Sequence, residues 1–178
     1  MQALFLPVVA LSFALSPVVG QNFGGRKADR VRKSVFAAIG LASAMMLVLS
    51  LVAHYAPSIF IRGFSHDPRV IDFGSDYLTI VSLNFVASGI VFSSSSIFQG
   101  LGNTLPPLLS SMTRLFIFAL PALWLSHRAG FEIDTVWYLS VISQILQACL
   151  NLFLLWREME RKLDFPDNPE LLGGAVPS

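Results

Sequence analysis

Four stretches of the chain contain no Asp, Glu, Lys or Arg: residues 1–23, 34–61, 77–113 and 135–156. Each meets or exceeds the roughly 20 residues that an α-helix needs to cross about 30 Å of hydrocarbon. Among 178 residues, 54% are hydrophobic, 13% are charged and 15 are Phe. That balance argues against a soluble domain and for an all-α integral membrane protein. The net charge of +1 carries no information about nucleic acid. The basic residues sit in turns that would face lipid headgroups, so the lipid bilayer is the expected partner and nucleic acid is not. Cys149 is the single cysteine, which excludes an internal disulfide and a cysteine-based metal cluster.

Residues 1–23 make a poor signal peptide. No Lys or Arg precedes the apolar region, and Pro7 and Pro17 interrupt it. The pattern predicts five transmembrane helices, at about 2–21, 35–61, 74–100, 105–127 and 134–158. The long run 77–113 is divided by Gly100-Leu101-Gly102-Asn103-Thr104-Leu105-Pro106-Pro107, because glycines and paired prolines end one helix and start the next. The run Arg26, Lys27, Arg30, Arg32 and Lys33 marks the inner side of the membrane. The 100–107 turn and Arg157, Arg161 and Lys162 then also lie inside. Arg62, Arg69 and Arg128 lie outside, with Asp67, Asp72, Asp76, Glu132 and Asp134. The carboxyl terminus is expected to be cytoplasmic, with residues 163–178 a disordered tail. An outside amino terminus with an odd helix count points to a missing upstream part.

Polar residues within the spans are the candidates for function, since amides and hydroxyls are tolerated there only facing protein or water. At 100° per residue, Asn84, Ser88, Ser95 and Gln99 form one stripe on the third helix. Ser140, Gln144, Gln147 and Asn151 form another on the fifth. They either line a solute cavity or hydrogen-bond helix to helix and hold the bundle together. Ser93, Ser94, Ser95 and Ser96 circle the helix, as a close-packing surface of small residues does. The plain reading of His54 is a hydrogen-bonded residue near the outer end of its span; a proton relay is the functional alternative. Arg114 lies some 10–13 Å along the fourth helix, and its stem is expected to snorkel toward the inner headgroups. Trp124, Trp137 and Tyr138 sit where interface anchors do. No Asp or Glu lies inside a charge-free run. No nucleophile–base pair, phosphate loop or metal-ligand cluster is present, so neither an enzyme nor a metal site is expected.

The wording of two turns adds a resemblance. Gly20-Gln21-Asn22-x-Gly24-Gly25-x4-Arg30 resembles a recurrent turn of the multidrug and toxic compound extrusion family. There the second glycine is often alanine, and the arginine is usually followed by alanine, where this chain has Val31. Phe98-Gln99-Gly100-Leu101-Gly102-Asn103-Thr104-x-Pro106-Pro107 resembles the family's turn between its tenth and eleventh helices, and Arg114 and Pro121 match its eleventh helix. The resemblance covers residues 1–162, which look like helices eight to twelve of a twelve-helix transporter. It implies most of the second of two six-helix lobes around a central cavity. It further implies efflux of small-molecule drugs or organic cations in exchange for sodium ions or protons, at the plasma membrane (the inner membrane if Gram-negative). The other partner implied is the missing amino-terminal lobe. One branch of the family carries a carboxylate where this chain has Ser88, so the coupling ion is expected to bind upstream of Met1. No other cofactor is implied. The alternatives are a flippase for lipid-linked oligosaccharides, whose cavity needs several Arg or Lys, and a non-transporting membrane remnant that binds a partner.

Overall fold

The structure, a computed structural model, describes residues 2–63, 67–126 and 133–165. Those residues form seven helices: α1 (Gln2–Gly24), α2 (Ala28–Tyr55), α3 (Pro57–Arg62), α4 (Pro68–Val81), α5 (Asn84–Gly100), α6 (Leu105–Ser126) and α7 (Ile133–Lys162). Four of them hold stretches long and apolar enough to cross a membrane: Leu4–Gly24, Ala28–Tyr55, Leu105–Trp124 and Thr135–Lys162. Helices α4 and α5 together pass the same test, as a pair bent by 55°. The chain is an all-α, multi-pass membrane protein.

The boundaries differ from the sequence reading where charges and breaks were weighed. Helix α2 starts at Ala28 rather than 35, taking Arg30, Arg32 and Lys33 into its first two turns, so only Gly25–Lys27 remain as turn. It stops at Tyr55 rather than 61, because Pro57 begins a separate short helix. Helix α7 continues past 158 to Lys162. The expected single helix 74–100 is two helices, and it begins earlier, at Pro68, where Asp67 caps the end by accepting from the Arg69 N–H at 2.9 Å. Arg128 and Glu132, assigned to the outer side, and residues 166–178 of the expected tail lie outside the described residues. Of the tail's first residues, Leu163 is buried and Phe165 packs on Phe23, with ring centroids 5.8 Å apart.

The break in the third span has a hydrogen-bond explanation. The Leu83 N–H bonds to the Ile80 carbonyl at 3.3 Å, which frees the Thr79 carbonyl from its usual helical partner. Two side chains one turn apart on α2 reach carbonyls at this break, that of Thr79 and that of Ser82, which also accepts from the Phe85 N–H at 3.0 Å. His54 Nδ1 lies 3.0 Å from the Thr79 carbonyl, and Ser50 Oγ donates to the Ser82 carbonyl at 2.7 Å. A carbonyl only accepts, so His54 carries a proton on Nδ1. Ser82 Oγ also donates to the Thr79 carbonyl, at 2.8 Å.

Helix α5 is the centre of the bundle, packed against α1, α2 and α7, while α6 packs on α7. Ten of its residues are buried, among them Ala87, Gly89 and three of the four consecutive serines, Ser93, Ser94 and Ser96. Small residues let helix backbones approach closely where lipid offers no hydrophobic drive. A Cβ on Gly100 would meet the Ser16 carbonyl at 2.7 Å and the Val19 Cβ at 2.9 Å; one on Gly89 would meet Met46 Cγ at 2.9 Å. Across the same crossing, a Cβ on Gly20 would lie 3.4 Å from the Gly100 carbonyl. The opposite faces present Phe13 and Phe36, 78% and 71% exposed, as lipid-facing side chains do.

Both motif turns end in the same way. Asn103 N–H returns to the Phe98 carbonyl at 2.9 Å and Gly102 N–H to Gln99 at 3.0 Å, with Gly102 at φ 70°. After α1, Lys27 N–H returns to Asn22 and Arg26 N–H to Phe23, both at 3.0 Å, and the left-handed residue is Arg26, at φ 53°. Glycine at 24 or 25 therefore does not fill the left-handed position. Gly20, Gln21 and Asn22 lie within the last turns of α1 rather than in the turn, and Asn22 Nδ2 donates to the Val18 carbonyl at 2.8 Å.

A Gly100→Ala variant is expected to lose about 1–3 kcal/mol by overpacking against backbone. Gly40→Ala, with nothing within 4 Å of the new Cβ, should be neutral or stabilising by up to about 1 kcal/mol. Thermal midpoints of the two variants in detergent, read from loss of the monodisperse species, check the contrast.

Candidate substrate cavity

Between α1, α4, α5, α6 and α7 lies a cavity of about 690 Å³. Its apolar side is built by Phe5, Leu6, Val9, Val91 and Phe92. Its polar side is built by Asn84 and Ser88 of α5, Ser111 and Arg114 of α6, and Ser140, Gln144 and Gln147 of α7. A second space of about 280 Å³ adjoins it, sharing Ser111, Arg114 and Ser140. The volume and the mixture of aromatic wall and few polar groups suit a small organic solute.

The two sequence-predicted stripes meet here. Gln144 Nε2 donates to Ser88 Oγ at 3.1 Å, joining α7 to α5 inside the bundle. One turn on, Gln147 Nε2 lies 3.4 Å from Ser111 Oγ, a long hydrogen bond to α6. Helix-to-helix bonding and cavity lining are therefore performed by the same side chains. Asn84 Oδ1 and Gln147 Oε1 are buried with no protein partner.

Of the eight stripe residues, Asn84, Ser88, Ser140, Gln144 and Gln147 line the cavity. Ser95, Gln99 and Asn151 do not. Ser95 is half-buried and Gln99 is exposed near the end of α5. Asn151 is completely buried, and neither atom of its amide has a protein partner. Each stripe thus runs past the cavity toward the end of the bundle that holds the Gly102 turn.

That end is held by a group the sequence reading missed. Glu158, its side chain 9% exposed, accepts from Asn103 Nδ2 at 2.7 Å and pairs with Lys162 at 3.3 Å and Arg161 at 3.2 Å. Lys162 Nζ also donates to the Leu101 carbonyl at 2.8 Å. The motif turn is clamped to the last turns of α7. Pro106 lies in the first turn of α6, where no backbone donor is lost. Arg30 is exposed on α2 beside a depression of about 560 Å³ that Arg26, Lys27 and Phe165 also line. The first turn of α2, the Gly102 turn and the end of α7 gather at one end of the bundle, as the charge pattern groups them. Ser111, Tyr77 and Arg114 are the polar cavity residues that the stripe analysis left out. Tyr77 is positioned by Trp137, at 5.3 Å between ring centroids. Arg114, read from the sequence as a snorkelling residue, lines the cavity.

Cysteine accessibility checks this geometry. In a Cys149→Ala background, Ser140→Cys should react with a membrane-impermeant methanethiosulfonate reagent. Asn151→Cys, on the same helix face but outside the cavity, should react at least about tenfold more slowly, as burial of the thiol requires.

The model of the MatE family matches residues 1–125 of the chain. A probable multidrug resistance protein NorM of Rhodopseudomonas palustris is 25% identical over 162 residues, which is 86% of this chain and 33% of that protein. One of Synechocystis is 26% identical, over 92% of this chain and 37% of that protein. An FAD transporter of Shewanella oneidensis is 23% identical, over 66% of this chain and 26% of that protein. The chain spans about a third of the length of these curated relatives. With a family match over more than half its length and a bundle of helices long and apolar enough to cross a membrane, the chain belongs to the MatE family.

Proposed function

We propose that this chain forms part of the second lobe of a secondary multidrug antiporter, corresponding to helices eight to twelve. The observation that carries the reading is the cavity of about 690 Å³ with its polar wall shared among α5, α6 and α7. A membrane protein retains buried amides at mid-span where they serve a solute path or hold helices together, and Gln144 both lines the cavity and bonds α7 to α5. The relatives' names, drug resistance and a flavin dinucleotide, suit a carrier of small organic solutes.

In this reading the lobe rocks against its partner lobe, exposing the cavity to each side of the plasma membrane in turn. Drug and coupling cation compete for one state of the pair, so the inward gradient of sodium ions or protons drives the drug outward. Among the described residues no carboxylate lines the cavity, so the coupling ion is assigned to residues outside this chain. The excess of Lys and Arg at one end of the bundle favours a cytoplasmic position for that end and for the carboxyl terminus that follows it.

The complete protein, expressed in cells stripped of their own efflux pumps, should raise resistance to several unrelated drugs and slow dye accumulation. A protonophore or a sodium ionophore, but only one of the two, should abolish the effect. Gln144→Leu, which removes the bond to Ser88 and the polar wall, should reduce efflux by about tenfold, the equivalent of one buried hydrogen-bonding group. Unchanged drug resistance on expression of the protein at the membrane refutes the transport reading.

A further inference from the structure

Three polar side chains of α6 and α7 are sealed inside the bundle with hydrogen-bonding atoms left over. Asn151 is fully buried, and neither Oδ1 nor Nδ2 has a partner among the described residues. Gln147 Oε1, one turn earlier on α7, and Ser110 Oγ of α6 are buried and unpartnered as well. The three lie together. Gln147 Nε2 is 3.4 Å from the hydroxyl of Ser111, the residue next to Ser110, and Asn151 follows Gln147 by four residues on the same face of α7. These atoms are already buried by the helices of this chain, so no segment outside it reaches them unless those helices part.

The register of α5 on α7 sets the group between two direct links. Ser88 bonds to Gln144 and Asn103 bonds to Glu158, so the two helices run parallel. Gln144, Asn151 and Glu158 follow one another at seven-residue intervals, and Ser95 follows Ser88 at the same interval on α5. The first and last rungs of this ladder are bonded directly, and the middle one is not. An amide carries two N–H donors and a carbonyl with two lone pairs. Folded proteins rarely seal such a group away from water unpaired. Polar groups brought close but beyond direct reach are the setting in which a buried water serves as the bridge.

We infer that Asn151, Gln147 and Ser110 bind ordered water between α6 and α7, an internal hydration site that continues the polar wall of the cavity toward the Glu158 clamp. Such a water donates to Gln147 Oε1 and Asn151 Oδ1 and accepts from Asn151 Nδ2 and the Ser110 hydroxyl. Those are the three or four bonds that hold a buried water. Of the three residues only Gln147 also lines the cavity, so the site lies behind the cavity wall rather than within it. Bonds to water exchange as neighbouring helices shift, whereas the links above and below must break.

The test uses the complete protein in detergent and compares wild type with Asn151→Ala and Asn151→Leu. A density map at a resolution that shows ordered water should hold a peak within hydrogen-bond distance of Asn151 and Gln147, and Asn151→Leu should lose it. Alanine leaves room for the water on Gln147 and Ser110. Leucine displaces it and leaves both unpaired. Thermal midpoints should therefore fall by a few degrees, further for leucine than for alanine. A dry site gives the reverse order, because leucine replaces an unpaired amide with apolar packing while alanine leaves a void. A leucine midpoint at or above that of alanine overturns the inference. A wild-type map without the peak overturns it whatever the midpoints, and decides alone if Asn151→Leu does not fold. A peak at metal–oxygen distance from Oδ1 and Oε1, or a protein group in that place, also overturns it.

Discussion

Lipid tails are as apolar as leucine, so helices in a bilayer gain little from hydrophobic contact and must be joined by close packing and hydrogen bonds. Helix α5 shows both at high density. Gly100 passes so near α1 that a methyl group would strike the Ser16 carbonyl, and Gly89 passes Met46 of α2 almost as closely. With three of its serines buried between those glycines, α5 acts as a thin rod around which the larger helices assemble. The remaining face of α5 is left for α7, and Ser88 meets Gln144 there. The cavity exists because α6 leans on α7 and barely touches α5, leaving a gap that polar side chains border.

The same economy of hydrogen bonds governs the irregular points of the fold. In hydrocarbon an uncovered carbonyl costs several kcal/mol. At the bend between α4 and α5, His54 reaches the Thr79 carbonyl that the broken ladder releases, and Ser50 adds a second bond to the Ser82 carbonyl. At the far end, Lys162 covers the Leu101 carbonyl beyond α5. His54, which the sequence leaves open between a structural group and a proton relay, is a capping residue in this fold.

Span and segment order were legible from the charge-free runs, because nothing else explains so many consecutive apolar residues. The all-helical class followed from that alone. The helix end at Gly100 was legible from Gly102 and the proline pair. The bend at Ser82 was not, since no proline or glycine marks it; its cause is a contact with α2, thirty-two residues away in sequence for Ser50 and Ser82. The start of α2 was misplaced because a run of basic residues reads as a turn, although such residues are good helix formers at a membrane surface. Periodicity found the two polar stripes; that Ser88 of one meets Gln144 of the other is visible only in the packing of α5 on α7. Periodicity could not divide a stripe lengthwise, so Asn151 and Gln99 could not be separated from Gln144 and Asn84. That Arg114 borders a polar recess was not legible either, since the recess is made by α7 lying beside α6. Glu158 carried no signal in the sequence, because its partner Asn103 lies 55 residues away.

The clamp at Glu158 has a mechanical meaning. It fastens the turn between α5 and α6 to α7 through one carboxylate, two cations and a backbone carbonyl, all at the same end of the bundle. The 55° bend between α4 and α5 lies at the other end, held by two single hydrogen bonds from α2. The three helices that border the polar wall are therefore pinned together at one end, as the leaves of a hinge are at its pin, while only single hydrogen bonds secure the bend at the other.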